Sequence, residues 1–371
     1  MASKKIFALI MSLFIGIFAL YTVAMYLYDP MHIISNKEQL FNGSMRYQAR
    51  GYLENKNVKG LIIGTSMLEN TSSDEATAKL FKHGSVDRFI NISLAGSTLA
   101  DRKVVLDYAF KHNEIKKVIY SLEMSPLFYQ DLAPMNWQKI YDDNPLSVMS
   151  PYLKTGYVKC LLTFSKSEKC VGVQKSLDRP ASWIDDPLYK DSFNGVCSWN
   201  EVSRNNLKSY LDTNGKSNEL KLYGLDYLKQ YTKQELFSII DAKKDTKFYL
   251  VIPPSSAIYY KLQTLYYKEH IALIKNFITY LADACSQREN CTLYGFDDTG
   301  LSLDLKNYKD MFHYLDKINS LMIDSIKKHE HVLTSENVQS YFLRMDEIIE
   351  KADVDAVKTE IRQCKKVYLK F

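Results

Sequence analysis

Five short apolar runs recur along the chain, each ending in small or polar residues and followed by a stretch with helical spacing. "VKGLIIGTS" (58–66) precedes a predicted helix through Glu75 to Phe81, and "VDRFINISLAG" (86–96) precedes one around Asp101 to His112. "IKKVIYSLEMS" (115–125), "TKFYLVIPPSS" (246–256) and "CTLYGFDD" (291–298) follow, with a long helix around Tyr266 to Cys285 between the last two. Near-continuous apolar strands alternating with helices predict an α/β fold, a mostly parallel five-stranded sheet within a three-layer α/β/α sandwich. Reactive loops in such sheets lie at the carboxyl ends of the strands. Ser66, Gly96, Glu123 and Pro253 are therefore expected along one edge.

A different pattern opens the chain. Ile6 to Tyr28 is free of charged side chains. At about 1.5 Å per residue it reaches roughly 34 Å, enough for the hydrocarbon core of a bilayer. Lys4 and Lys5 precede it and Asp29-Pro30 follow. Basic residues stay cytoplasmic, so the N-terminus is expected inside and the rest outside, at an inner or plasma membrane. A cleaved signal peptide would have a shorter apolar region and small residues at its end. This one ends in Met25, Tyr26, Leu27 and Tyr28, which favours an uncleaved anchor. The expected organisation is an anchor (1–29), a connecting segment (30–57), and an α/β core (58–127 and 241–331). An inserted cap (128–240) and a helical C-terminal extension (332–371) complete it. The insertion carries all three tryptophans (Trp137, Trp183, Trp199) and is expected to flank the active edge with substrate contacts.

Composition narrows the classes. With 46% hydrophobic and 25% charged residues the chain is an ordinary globular one. A net charge of +5 without a basic, aromatic-interleaved stripe gives no nucleic-acid face. Six cysteines form an even set in a chain expected to be exported, which points to disulfides. Cys160 with Cys170 and Cys285 with Cys291 are the local pairs, leaving Cys197 and Cys364, although six cysteines allow fifteen pairings. No Cys/His cluster has metal-ligand spacing and no Walker or dinucleotide glycine loop follows a strand. Neither metal nor cofactor is expected.

A serine hydroxyl becomes a nucleophile when a histidine, oriented by a carboxylate, takes its proton. Ser66 stands where the first strand ends, a place that would also suit a helix cap. Of the seven histidines, most lie in charged helical stretches. His313 lies in "NYKDMFHYLD" after the fifth strand, in a loop that should return to the active edge. Asp310, three residues earlier, can face the same way and fix its tautomer.

"IIGTSMLEN", "NISLAGST" and "DMFHY" resemble the first, second and fifth blocks of the SGNH (GDSL-like) hydrolase superfamily. The likeness spans about 58–125 and 246–325, the sheet-forming parts. It is nearest to membrane-anchored, extracytoplasmic members such as the D-alanyl-transfer protein DltD and the alginate and peptidoglycan O-acetyltransferases. These share one N-terminal span and an exit like Tyr28-Asp29-Pro30. The resemblance implies a flavodoxin-like sheet and a triad of Ser66, His313 and Asp310. It also implies an oxyanion hole formed by the backbone N–H groups of Ser66 and Gly96. One departure matters. The third block normally supplies an asparagine to the oxyanion, and here "SLEMSP" places Glu123 near that position. Thr65, Ser97 and Glu123 are the further candidate site residues, with Ser97 and Thr98 also suited to capping the next helix.

The implied activity is transfer of an acyl group, through acyl-Ser66, to a hydroxyl of a cell-envelope glycan or polyol. A multi-pass membrane O-acyltransferase is the implied supplier of the group. Esterase activity from the same triad, and an anchored glycan-binding or assembly protein without chemistry, are the alternatives.

Overall fold

A computed structural model of the chain describes residues 2–30, 33–34, 40–41, 45–55, 58–124, 136–142, 144–174, 176–212 and 223–364. Parts of the expected connecting segment, the start of the insertion (128–135) and residues 213–222 lie outside them. The chain divides into two compact units, Met1–Lys56 with Pro134–Leu177, and Asn57–Ala133 with Asp178–Phe371.

The first unit opens with the helix Ala2–Leu27, long and apolar enough over Lys4–Leu27 to cross a membrane. Its length and composition suit an anchor and a signal sequence alike. Its large apolar side chains are exposed from Ile6 to Val23 and again at Leu27, while Met25 is buried. The unit also holds the helices Met45–Asn55 and Thr155–Leu162 and a short antiparallel pair, β1 (Leu40–Phe41) with β5 (Val173–Gln174). A disulfide joins Cys160 and Cys170.

The second unit is built on a six-stranded sheet, not five. Its strands are β2 (Gly60–Ile63), β3 (Phe89–Asn91), β4 (Lys117–Ser121), β6 (Lys247–Ile252), β7 (Cys291–Gly295) and β8 (Val332–Leu333). They run in the order β3-β2-β4-β6-β7-β8, parallel throughout except β8, which adds antiparallel to β7. The sixth strand lies where a wholly helical extension was expected. Two residues are too few to carry a period-2 signal. β2, β3 and β4 are apolar and buried, as strands covered on both faces must be.

Helices connect the parallel strands: Ser73–Leu80 after β2, Leu99–His112 after β3, and Ala257–Tyr266 with Lys268–Ser286 between β6 and β7. Lys268–Ser286 is the long helix expected there, and Ala257–Tyr266 is a further one ahead of it. The strand order reverses direction between β2 and β4, the switch point where such sheets open a crevice beyond their carboxyl ends. Disulfides join Cys197 to Cys364 and Cys285 to Cys291. All three pairs are those expected, and they suit an oxidising, extracytoplasmic compartment.

Candidate active site

The chain leaves β2 at Gly64, where a Cβ would collide with the Ser121 hydroxyl and crowd Leu68, so a larger residue would have to push them aside. The next helix does not begin until Ser73. Its N-cap is Ser72, whose Oγ accepts from Glu75 N–H at 2.9 Å. Ser66 is therefore not a cap. Its Oγ lies 2.7 Å from His313 Nε2. His313 Nδ1 lies 2.8 Å from Asp310 Oδ2, while Asp310 Oδ1 accepts the N–H groups of Phe312 and His313, each at 2.8 Å. The Asp310–His313 pair is thus held in a tight non-helical turn of the kind Asp side chains stabilise. Ser256, in the loop after β6, secures that turn, both its N–H and its hydroxyl donating to Met311 O.

Burial alone would raise the Asp310 pKa. Contact with His313, the Lys309 ammonium at 3.5 Å and the backbone donors outweigh it and hold the carboxyl well below its usual range. Asp310 is consequently an anion in position to orient an imidazole.

Gly96 is exposed and adopts φ +59°, in the left-handed region that glycine enters freely. Among the described residues, nothing accepts from the N–H groups of Ser66 and Gly96. The loops carrying them are fastened together, with Gly64 O accepting from Leu94 N–H at 2.8 Å and from the Ser97 hydroxyl at 3.2 Å.

Thr65, Ser97 and Glu123 fall in one buried network beneath Ser66. Glu123 Oε1 accepts from the Thr65 N–H (3.1 Å), the Thr65 hydroxyl (2.7 Å) and the Ser121 hydroxyl. Glu123 Oε2 accepts from Arg102 at 2.8 Å, and Arg102 also donates to the Ser97 hydroxyl at 2.8 Å. The two charged side chains are only 2% and 3% exposed. Burial pushes the Glu123 pKa up, but Arg102 and the hydroxyl donors overcome it and leave the carboxyl below its usual value. Glu123 is thus an anion neutralised by Arg102, with its oxygens committed to the scaffold. Ser97 is likewise committed. Thr98 caps Leu99–His112 in a reciprocal capping box with Asp101.

Arg102 and two aromatic neighbours escaped the sequence reading. Trp183 donates its indole N–H to Ser66 O at 2.7 Å, and its ring meets His313 edge-on at 5.5 Å. Lys309 is buried with its ammonium 4.4 Å from the Trp183 ring centre and 4.2 Å from that of Tyr189, a double cation–π cage. Asn70 fixes the segment that carries Trp183, its Oδ1 accepting from the Ser182 hydroxyl and from Ile184 N–H. Asn91, from β3, braces the same turn by donating to Leu68 O and Thr71 O. A loop tryptophan has no periodicity to betray it. Arg102 is one charge in a helix of mixed charge until its partner across the sheet is known.

No family model and no curated protein matches the chain. Among solved structures it is similar to a Streptococcus pneumonia protein provisionally described as a platelet activating factor. That match has 12% identity and a TM-score of 0.40 over 77% of this chain and 90% of the other.

Proposed function

We propose that the chain is a membrane-anchored, extracytoplasmic serine acyltransferase of SGNH type, transferring an O-acyl group to a hydroxyl of a cell-envelope glycan. The observation that carries this reading is the continuous Ser66–His313–Asp310 relay, with contacts of 2.7 and 2.8 Å. The apolar N-terminal helix preceded by Lys4 and Lys5 supports an anchor with its N-terminus inside, and the three disulfides support the outward placement.

In the first half-reaction Ser66 Oγ attacks the acyl carbonyl and its proton passes to His313 Nε2. This requires Nδ1 to carry the other proton, and the Asp310 anion secures that tautomer. The tetrahedral oxyanion faces the N–H groups of Ser66 and Gly96. Collapse breaks the bond to the leaving group, which takes the proton from Nε2. In the second half an acceptor hydroxyl gives its proton to Nε2 and attacks acyl-Ser66, releasing the serine. With no asparagine in the third block, the oxyanion relies on backbone donors. One lost donor costs on the order of 10²–10³ in rate, so modest turnover is expected. A multi-pass membrane acyltransferase is the proposed supplier of the acyl group.

Ester hydrolysis is the second reading, favoured by a His313 side chain that is 25% exposed and so open to water. Incubation with an activated acetyl ester, with and without glycan, separates the two. Acetylated glycan supports transfer, and free acetate alone whatever the acceptor supports hydrolysis. Fluorophosphonate labelling tests the shared chemistry. Labelling unchanged in Ser66→Ala would remove Ser66 from both.

A further inference from the structure

The first unit carries a feature that acyl transfer does not explain. Leu162 and Phe164 are 78% and 53% exposed at the C-terminal end of the helix Thr155–Leu162, and Leu153, 63% exposed, precedes its first turn. Exposed apolar side chains scattered singly are ordinary, but Leu162 and Phe164 share one helix end and stand among lysines. Lys154, Lys159, Lys166 and Lys169 are exposed around them, against the lone acid Glu168. This is the composition of an interfacial amphipathic segment, with apolar groups to sink and ammonium groups to meet lipid phosphates.

Phe164 shows that the exposure is built in. The helix ends in a Schellman arrangement, with Ser165 N–H donating to Cys160 O and Phe164 N–H to Leu161 O. The left-handed position of that motif ordinarily takes glycine. Here it is Phe164, at φ +43°. A bulky residue held in this region is a conformational outlier, and such outliers cluster where a side chain must be presented.

The patch is also tied to the end of the apolar N-terminal helix. Tyr28 donates its hydroxyl to Ser165 O at 2.6 Å, and Tyr157 donates to Tyr28 O at 2.7 Å. The Tyr28 and Phe164 rings meet edge-on at 5.6 Å. The Asp29 carboxylate accepts from the Tyr152 hydroxyl at 2.5 Å and from Ile34 N–H at 2.9 Å, locking the exit from the helix. If the helix spans a bilayer, Tyr28 marks its interface, where tyrosine is enriched, and Phe164 lies at the same depth. Beside this junction is a cavity of ≈530 Å³ whose wall includes Pro30, Lys159, Thr163, Ser165 and Lys169. Lys159 and Lys169 give this wall a positive charge suited to a phosphate oxyanion.

We infer that this face rests on the bilayer, with Leu162 and Phe164 in the acyl boundary and an anionic phospholipid headgroup held by Lys159 and Lys169. The inference rests on the anchor reading above. A peripheral, second contact beside a single span fixes the tilt of the unit and enlists anionic lipid in holding it there.

All six cysteines are in disulfides, so Leu162→Cys supplies a unique thiol for a nitroxide on the full-length chain in nanodiscs. Collision with oxygen against a water-soluble nickel chelate reports depth. Leu13→Cys in the N-terminal helix and exposed Val202→Cys are the lipid and water references. Oxygen should dominate at Leu162 and Leu13 and nickel at Val202. With phosphatidylglycerol added to phosphatidylcholine the Leu162 label should move deeper, and Lys159→Gln with Lys169→Gln should abolish that shift. Lipid contact at Leu13 with water contact at Leu162 overturns the inference and leaves the anchor standing. Water contact at both removes the anchor reading and the inference with it. A depth at Leu162 indifferent to phosphatidylglycerol overturns the anionic headgroup.

Discussion

Trp183 touches both Ser66 and His313, donating its indole N–H to the serine carbonyl at 2.7 Å while its ring meets the imidazole edge-on at 5.5 Å. One side chain therefore fixes the backbone of the proposed nucleophile and walls the face of its proposed base. Lys309, caged between Trp183 and Tyr189, extends the same cluster to the carboxylate of Asp310.

Trp183→Phe keeps a ring against His313 and deletes the hydrogen bond. A net hydrogen bond is worth about 0.5–1.5 kcal/mol, so fluorophosphonate labelling of Ser66 should slow by roughly three- to tenfold. Trp183→Ala removes the wall as well and should slow it further. Labelling of the alanine variant at the parent rate would show that Trp183 only fills space.

Glu123 and Arg102 form a buried ion pair that also holds Thr65 N–H, one residue from the proposed nucleophile. Glu123→Gln leaves the guanidinium buried without an anion, which typically costs about 3–5 kcal/mol. Urea unfolding should show that loss, and an apolar pair replacing both residues should recover much of it. Equal stability of the single and double variants would mean the pair is not coupled.

How much of this was legible in the sequence follows from burial and spacing. Parallel strands buried on both faces read as apolar runs, so β2, β3, β4, β6 and β7 announce themselves, whereas the two residues of β8 do not. Asp310 and His313 were findable because three residues of spacing keep them in one turn. The contact of 2.7 Å between Ser66 and His313 was expected only from strand order, since 247 positions separate them. Glu123 was visible as a misfit, and its meaning was not, because Arg102 reaches it from a neighbouring helix. Trp183 belongs to an aperiodic loop secured by Asn70, a link with no trace in the chain.

Asp310→Asn tests the orienting carboxylate. The amide still accepts from the Phe312 and His313 N–H groups through one oxygen but no longer favours the productive imidazole tautomer. Acylation of Ser66 should fall by on the order of 10⁴, with folding preserved in circular dichroism. A loss under about tenfold would place Asp310 outside the relay.

Asp297 sets a pH dependence of stability away from the site. It is fully buried between the N–H of Ser255 (3.2 Å) and the hydroxyls of Tyr260 (2.9 Å) and Tyr341 (3.0 Å). Burial raises its pKa to about 7, more than these donors lower it. Unfolded, an aspartate titrates near ~3.9. Between those values the folded state binds the extra proton, so stability falls as pH rises through that window and levels off above about 7. Three units correspond to roughly 4 kcal/mol at about 1.36 kcal/mol each. Asp297→Asn cannot ionise and lacks this slope. The stability of the parent relative to the variant should therefore shrink from pH 4.5 to 7 and stay level to pH 9. Urea unfolding of both proteins across that range cancels the other titrating groups, and parallel profiles would show that Asp297 is ionised in the fold throughout.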